Sequence, residues 1–147
     1  MIYTPSTKRA TLLALDAHRG QYDKGGLPYI MHPLHVAESM ETEDECVVAL
    51  LHDVLEDTEI IVSDLQEWGI TERQIEALRL LCHDESVPYL EYIQKLMSDP
   101  IAVKVKIADL RHNSDLTRLT TITEEDRKRV ELYKEALQLL QQEIVKK

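Results

Sequence analysis

At 147 residues, with 44% hydrophobic residues and no Phe, the chain suits a single domain, 1–147, whose core is built mostly from Leu, Ile, Val and Ala. Its formal net charge of −10 excludes a non-specific nucleic-acid binder, which needs a basic face, but leaves room for an anionic small molecule where a metal and a few cations reverse the potential inside one cleft. Only four Gly and five Pro, with 30% charged residues often at helical spacing, point to an all-α fold.

Ser6 or Thr7 is placed to cap a first helix that runs to about Arg19. Ala10, Leu13, Ala14 and Ala17 form its apolar stripe, and Leu12 and Leu15 widen it. Gly20 ends this helix, and residues 20–30, with Gly20, Gly25, Gly26 and Pro28, form a loop. Pro33 suits the first turn of a helix over 33–40. Thr42 and Glu45 have capping-box spacing for a third helix over 43–57. Ser63 opens a short helix closed at Trp68-Gly69, and Thr71 caps another over 72–83 with Ile75, Leu78 and Leu81 inward. After a turn at Asp84-Glu85-Ser86, a helix over 88–98 carries Tyr89, Ile93 and Leu96.

Asp99-Pro100 starts a helix over 100–117. Ile101, Val103, Val105 and Ile107 have the period of a strand, but Ala102, Leu110 and Asn113 continue the segment as a helix. Thr123 caps the last helix, 124–144. Asp126, the third residue on, is not the Glu or Gln of a full capping box, yet Glu124, Glu125 and Asp126 put negative charge where the helix dipole favours it. Leu132, Ala136, Leu139 and Leu140 need burial, in the core or against a second copy in a homo-oligomer. The sum is seven or eight helices in one unit. Cys46 and Cys82 lack zinc or disulfide spacing and are expected to be reduced and buried. The N-terminus lacks the pattern of a signal peptide, and no apolar run approaches the roughly 20 residues of a membrane span, so no membrane association is expected and a cytoplasmic location is.

The chemistry concentrates at residues 46–58. Cys46 to Leu51 is wholly apolar, His52 and Asp53 follow at once, and Glu56 and Asp57 lie one turn on. In a continuous helix His52 stacks over Glu56 and Asp53 over Asp57. Burying so much charge is costly without compensation, and a divalent metal is the simplest source of it. Neighbouring helical residues diverge by about 100°, so His52 and Asp53 reach one ion only beyond the helix edge. The best additional ligands are His32 and Asp109, each in an apolar context. Alone, His32 reads as a hydrogen-bonded histidine, and Asp109 as a partner of Lys106 or Arg111. Together the four suit manganese, iron or zinc.

Three motifs carry a family resemblance. The first joins Ala17-His18-x-Gly20-Gln21 to Gly26-x-Pro28-Tyr29-Ile30-x-His32-Pro33-x-x-Val36-Ala37. The second is Ala49-Leu50-Leu51-His52-Asp53-Val54-x-Glu56-Asp57-Thr58, and the third is Val105-Lys106-Ile107-Ala108-Asp109-x-x-His112-Asn113. In this order they resemble the HD superfamily of metal-dependent phosphohydrolases, and within it the hydrolase domain of RelA/SpoT-type (p)ppGpp hydrolases. The resemblance implies an HD helical bundle with a manganese-like ion on His32, His52, Asp53 and Asp109. It implies that Glu56 and Asp57 act on the attacking water, and that Asn113 lies near the substrate. Lys24, Tyr29 and Lys106 are the other expected substrate contacts. The expected reaction removes pyrophosphate from the 3′ position of a guanosine polyphosphate. The loop Tyr22-Asp23-Lys24 departs from the pattern, with an acidic residue where the family carries arginine, and Leu110-Arg111 reverses the family's order. An HD nucleotidase or phosphatase acting on another nucleotide or small phosphate ester is the alternative, and a non-catalytic nucleotide-binding module is a third reading.

Overall fold

The computed structural model describes residues 1–146. Along the chain it has α1 (Pro5–Ala17), α2 (Met31–Glu38), α3 (Glu43–Leu51), α4 (Val54–Asp57), α5 (Val62–Glu67), α6 (Glu72–Leu81), α7 (Tyr89–Leu96), α8 (Pro100–Asn113), a 3-10 turn (Leu116–Arg118) and α9 (Glu124–Lys146). Among the described residues there is no strand, and no helix is long and apolar enough to cross a membrane.

Local hydrogen bonding explains most helix starts. Thr42 and Thr71 accept from the backbone of Glu45 and Gln74, whose side chains reach back to the caps. Asp99 accepts from the amides of Ile101 and Ala102 ahead of α8. The first cap is Thr4, not Ser6 or Thr7: Pro5 takes the first helical position, and Thr7 closes the box from inside the helix. At α9 the Asp126 carboxylate accepts from both the amide and the hydroxyl of Thr123, 2.9 Å each, so aspartate serves where glutamate or glutamine was expected.

α3 is the central element. Cys46 to Leu51 are all fully buried, enclosed by α1, α2, α6 and α8. That environment is why its sequence is apolar nearly all round, and each buried Val or Leu contributes about 1.5–3 kcal/mol. α8 is packed among α2, α3, α6 and α9. Its β-branched residues Val103, Val105 and Ile107 are buried there, so tertiary packing and the Asp99 cap override their strand preference.

Three further expectations change. Leu12 and Leu15 are 59% and 48% exposed, leaving α1 a narrower stripe. The helix expected over 100–117 ends at Asn113 and resumes as the 3-10 turn. The helix expected over 43–57 breaks at His52-Asp53, and α4 is a separate single turn. Ala136 and Leu140 of α9 are buried, with Leu137 packed against the core. Cys46 is buried and Cys82 half-buried, and both are free.

Candidate active site

The break in the third helix resolves the geometric difficulty of two adjacent ligands. His52 keeps helical angles (φ −59°, ψ −26°), but Asp53 turns to φ −103°, ψ −2°. His52 and Asp53 are thereby freed from the angular separation of a regular helix. His52 Nε2 lies 3.0 Å from Asp53 Oδ2, 3.2 Å from Asp109 Oδ1 and 3.3 Å from His32 Nε2. His32 comes from α2 and Asp109 from α8, and one ligand atom from each of the four residues falls within 4.8 Å of all the others. The four predicted ligands therefore converge.

The surroundings aim both imidazoles at one point. His52 Nδ1–H donates to the Ala49 carbonyl at 2.6 Å, which turns Nε2 toward the other three residues; burial opposes a charge on this ring, but Asp53 and Asp109 outweigh it and hold the His52 pKa well above the usual histidine range. His32 Nδ1 lies 2.7 Å from His112 Nδ1. Burial and then the Arg118 charge push the His112 pKa down to about 4, so His112 is neutral. His32 Nε2 lies 2.8 Å from Asp109 Oδ1. Two imidazole nitrogens and two carboxylate oxygens form a donor set that fits a divalent metal.

Asp109 is the hub of this cluster. Its Oδ1 accepts from Asn113 Nδ2 at 3.0 Å, and its Oδ2 from Lys106 Nζ at 2.8 Å. Burial opposes its charge, but Lys106 and the two histidines outweigh burial and hold its pKa well below the usual carboxylate range. The Lys106 ammonium in turn sits 5.7 and 5.2 Å from the ring centres of Tyr89 and Tyr92. Tyr29 Oη donates to Asp53 Oδ2 at 2.5 Å. Of the expected substrate contacts, then, Tyr29, Lys106 and Asn113 hold the carboxylates of Asp53 and Asp109 in place.

Glu56 and Asp57 are exposed on α4 and line a cavity of about 350 Å³ together with Asp53, Asp109, Lys106 and Asn113. Asp57 still follows Asp53 by one hydrogen-bonded turn, its amide donating to the Asp53 carbonyl at 2.9 Å. Glu56 Oε1 accepts from the His83 amide at 2.6 Å. Burial, then the charges of Asp53 and Glu56, push the Asp57 carboxyl up to about 6. A second hollow of about 250 Å³ shares Tyr29 and Asn113 with the first and is bounded by the loop Tyr22–Gly25 and by Arg118. Lys24 lines it and lies 3.8 Å from Asp126, while Asp23 meets Arg118 at 3.4 Å. The acidic residue in the loop is thus matched by a cation from the 3-10 turn. Sequence reasoning missed Arg118, Arg129 and Tyr133, which have no local signal and reach the cavities only through the fold. Tyr89, read only as part of the helix over 88–98, lines the cavity beside Asp57.

The chain is 29% identical over 137 residues to the bifunctional (p)ppGpp synthase/hydrolase SpoT of Escherichia coli (strain K12), covering 84% of this chain and 19% of that protein. It is 32% identical over 133 residues to the guanosine-3′,5′-bis(diphosphate) 3′-pyrophosphohydrolase of Haemophilus influenzae, covering 81% of this chain. The chain is a homologue of the SpoT/RelA-type proteins. It spans about a fifth of the length of these relatives, 19% in both cases. Among solved structures, a metazoan ortholog of SpoT described as hydrolysing ppGpp matches with a TM-score of 0.73 and 23% identity, over 93% of this chain and 85% of that one. The two share the same all-helical fold. No family model matches the chain.

Proposed function

We propose that this SpoT homologue is a metal-dependent phosphohydrolase that removes pyrophosphate from the 3′ position of (p)ppGpp. The observation that carries the reading is the convergence of His32, His52, Asp53 and Asp109 beside a cavity edged by Asp57, whose pKa is raised to about 6. A bound divalent ion, manganese for preference, would polarise a phosphoryl oxygen and acidify a water. His32, His52, Asp53 and Asp109 would hold it. Asp57 takes the proton of the attacking water, since a carboxylate raised toward neutrality is a matched general base. Glu56, fixed by the His83 amide, orients that water. Lys106 and Asn113 line the same cavity and serve to position the phosphoryl group and neutralise its charge. The nucleoside extends into the neighbouring hollow between Lys24 and Arg118.

The test is pyrophosphate release from ppGpp by purified protein with manganese added or chelated. Turnover that needs metal and is lost in His52→Ala supports the reading. Release of inorganic phosphate from nucleoside monophosphates, with ppGpp untouched, supports the alternative nucleotidase instead.

A further inference from the structure

α4 is four residues long, and Glu56 and Asp57 ride on it. A single helical turn has no stability of its own, because nucleation costs more than one or two hydrogen bonds return. Its backbone is closed only by Asp57 N–H to the Asp53 carbonyl at 2.9 Å and Thr58 N–H to the Val54 carbonyl at 3.2 Å. The position of α4 must therefore come from outside it: Val54 is buried in the core, and two hydrogen bonds tether the end that carries Glu56 and Asp57. One tether is the His83 amide on Glu56. The other reaches across from the first loop: Gln21 Nε2 donates to the Asp57 carbonyl at 2.9 Å, filling an acceptor that the end of the helix leaves free.

Gln21 is itself fixed. With its amide nitrogen committed to Asp57, it offers only Oε1 to His18, whose Nδ1 lies 2.8 Å away and so must donate. His18 caps the end of α1, is 3% exposed and packs its ring 4.9 Å from Tyr29, which in turn bonds Asp53. Burial pushes the His18 pKa down, keeping the ring neutral in this role. We infer that His18 and Gln21 form a bracket that positions Asp57 for its work on the attacking water, anchoring the catalytic turn to the end of α1 rather than to the metal. Both are positioning residues. The inference rests on the hydrolase reading for its consequence in turnover and on geometry alone for the bracket.

The test compares Gln21→Ala, His18→Ala and His18→Asn with the wild-type full chain. Turnover of ppGpp, manganese affinity by calorimetry and backbone amide exchange are measured on each. Gln21→Ala is expected to lower kcat by about 10- to 100-fold, the scale of a small misplacement of a reacting group. Manganese affinity stays within about twofold, because the metal ligands' own partners are untouched. The amides of Asp57 and Thr58 exchange faster, and those of α3 and α8 do not. His18→Ala moves in the same direction. His18→Asn recovers much of the loss, because the Asn amide nitrogen takes the place of Nδ1. The bracket is overturned if kcat is unchanged in Gln21→Ala, if metal affinity falls in step with kcat, if exchange accelerates throughout the chain, or if His18→Asn is as damaged as His18→Ala. Should the wild type fail to hydrolyse ppGpp, the hydrolase reading falls. Amide exchange at α4 then decides the bracket: faster exchange in Gln21→Ala upholds it, and unchanged exchange overturns it.

Discussion

Replacing Asp109 with alanine tests the electrostatic core of the site apart from catalysis. The change removes the partner of the Lys106 ammonium, which is nearly buried, with 12% of its side chain exposed. Removing one member of a buried ion pair costs about 3–5 kcal/mol. The rings of Tyr89 and Tyr92 beside Lys106 return part of this, since a partly desolvated cation over an aromatic ring is worth about 0.5–2 kcal/mol. A net loss near the low end, about 3 kcal/mol, is expected, or about 6–12 °C in Tm for a chain of this size. Urea unfolding in EDTA measures it without the contribution of metal binding. The decisive comparison is Asp109→Ala/Lys106→Met, where methionine fills the space without the charge. If the stranded ammonium causes the loss, the double variant regains about half of it or more. A double variant no more stable than Asp109→Ala would refute the reasoning and shift the cost to the histidines.

Other expectations follow from the same geometry. Asp57 must be ionised to act as a base, so kcat/KM falls as pH drops through about 6, and Glu56→Gln, which removes one of the charges raising that pKa, moves the midpoint lower. The same shift has an opposite sign for folding. The folded carboxyl holds its proton up to about 6, while the unfolded one releases it near 3.8, so ionised Asp57 disfavours the fold at neutral pH. Asp57→Asn should accordingly raise the urea midpoint of metal-free protein at pH 8 and leave it unchanged below pH 3.8, although it abolishes turnover. Gly25→Ala places a Cβ against the Arg118 carbonyl, a backbone atom that cannot swing away. Displacing the loop should cost about 1–3 kcal/mol by denaturation and raise KM for the nucleotide, with manganese affinity unchanged in calorimetry.

The element order was largely legible because its signals are local. Thr42, Thr71 and Asp99 cap helices through bonds to residues no more than three positions away. The six apolar residues ahead of His52 marked α3 as central, since only a helix enclosed on all sides is apolar on all sides. The errors lie where a local pattern has two outcomes. Residues 43–57 keep a helical pattern throughout, yet the chain breaks at Asp53, where its carboxylate lies within 4.8 Å of the other three ligand atoms. Leu12 and Leu15 look like core by type, but nothing packs over them closely enough to bury them.

Composition and periodicity by themselves determined that the chain is all-helical, which helix is innermost and which charged residues are too costly to bury unpartnered. Those are properties of short segments and of their cost in leaving water. Only the tertiary structure decided the chemistry of each group. His32 and Asp109 are 77 residues apart, and they meet only because α2 and α8 both pack on α3. The hydrogen-bond partners of His32, the raised pKa values of His52 and Asp57, the pairing of Asp23 with Arg118 and the tether of Gln21 on Asp57 all depend on atoms brought together across the fold. Proton affinity and hydrogen-bond direction are set by neighbours in space, and a linear pattern does not specify those neighbours.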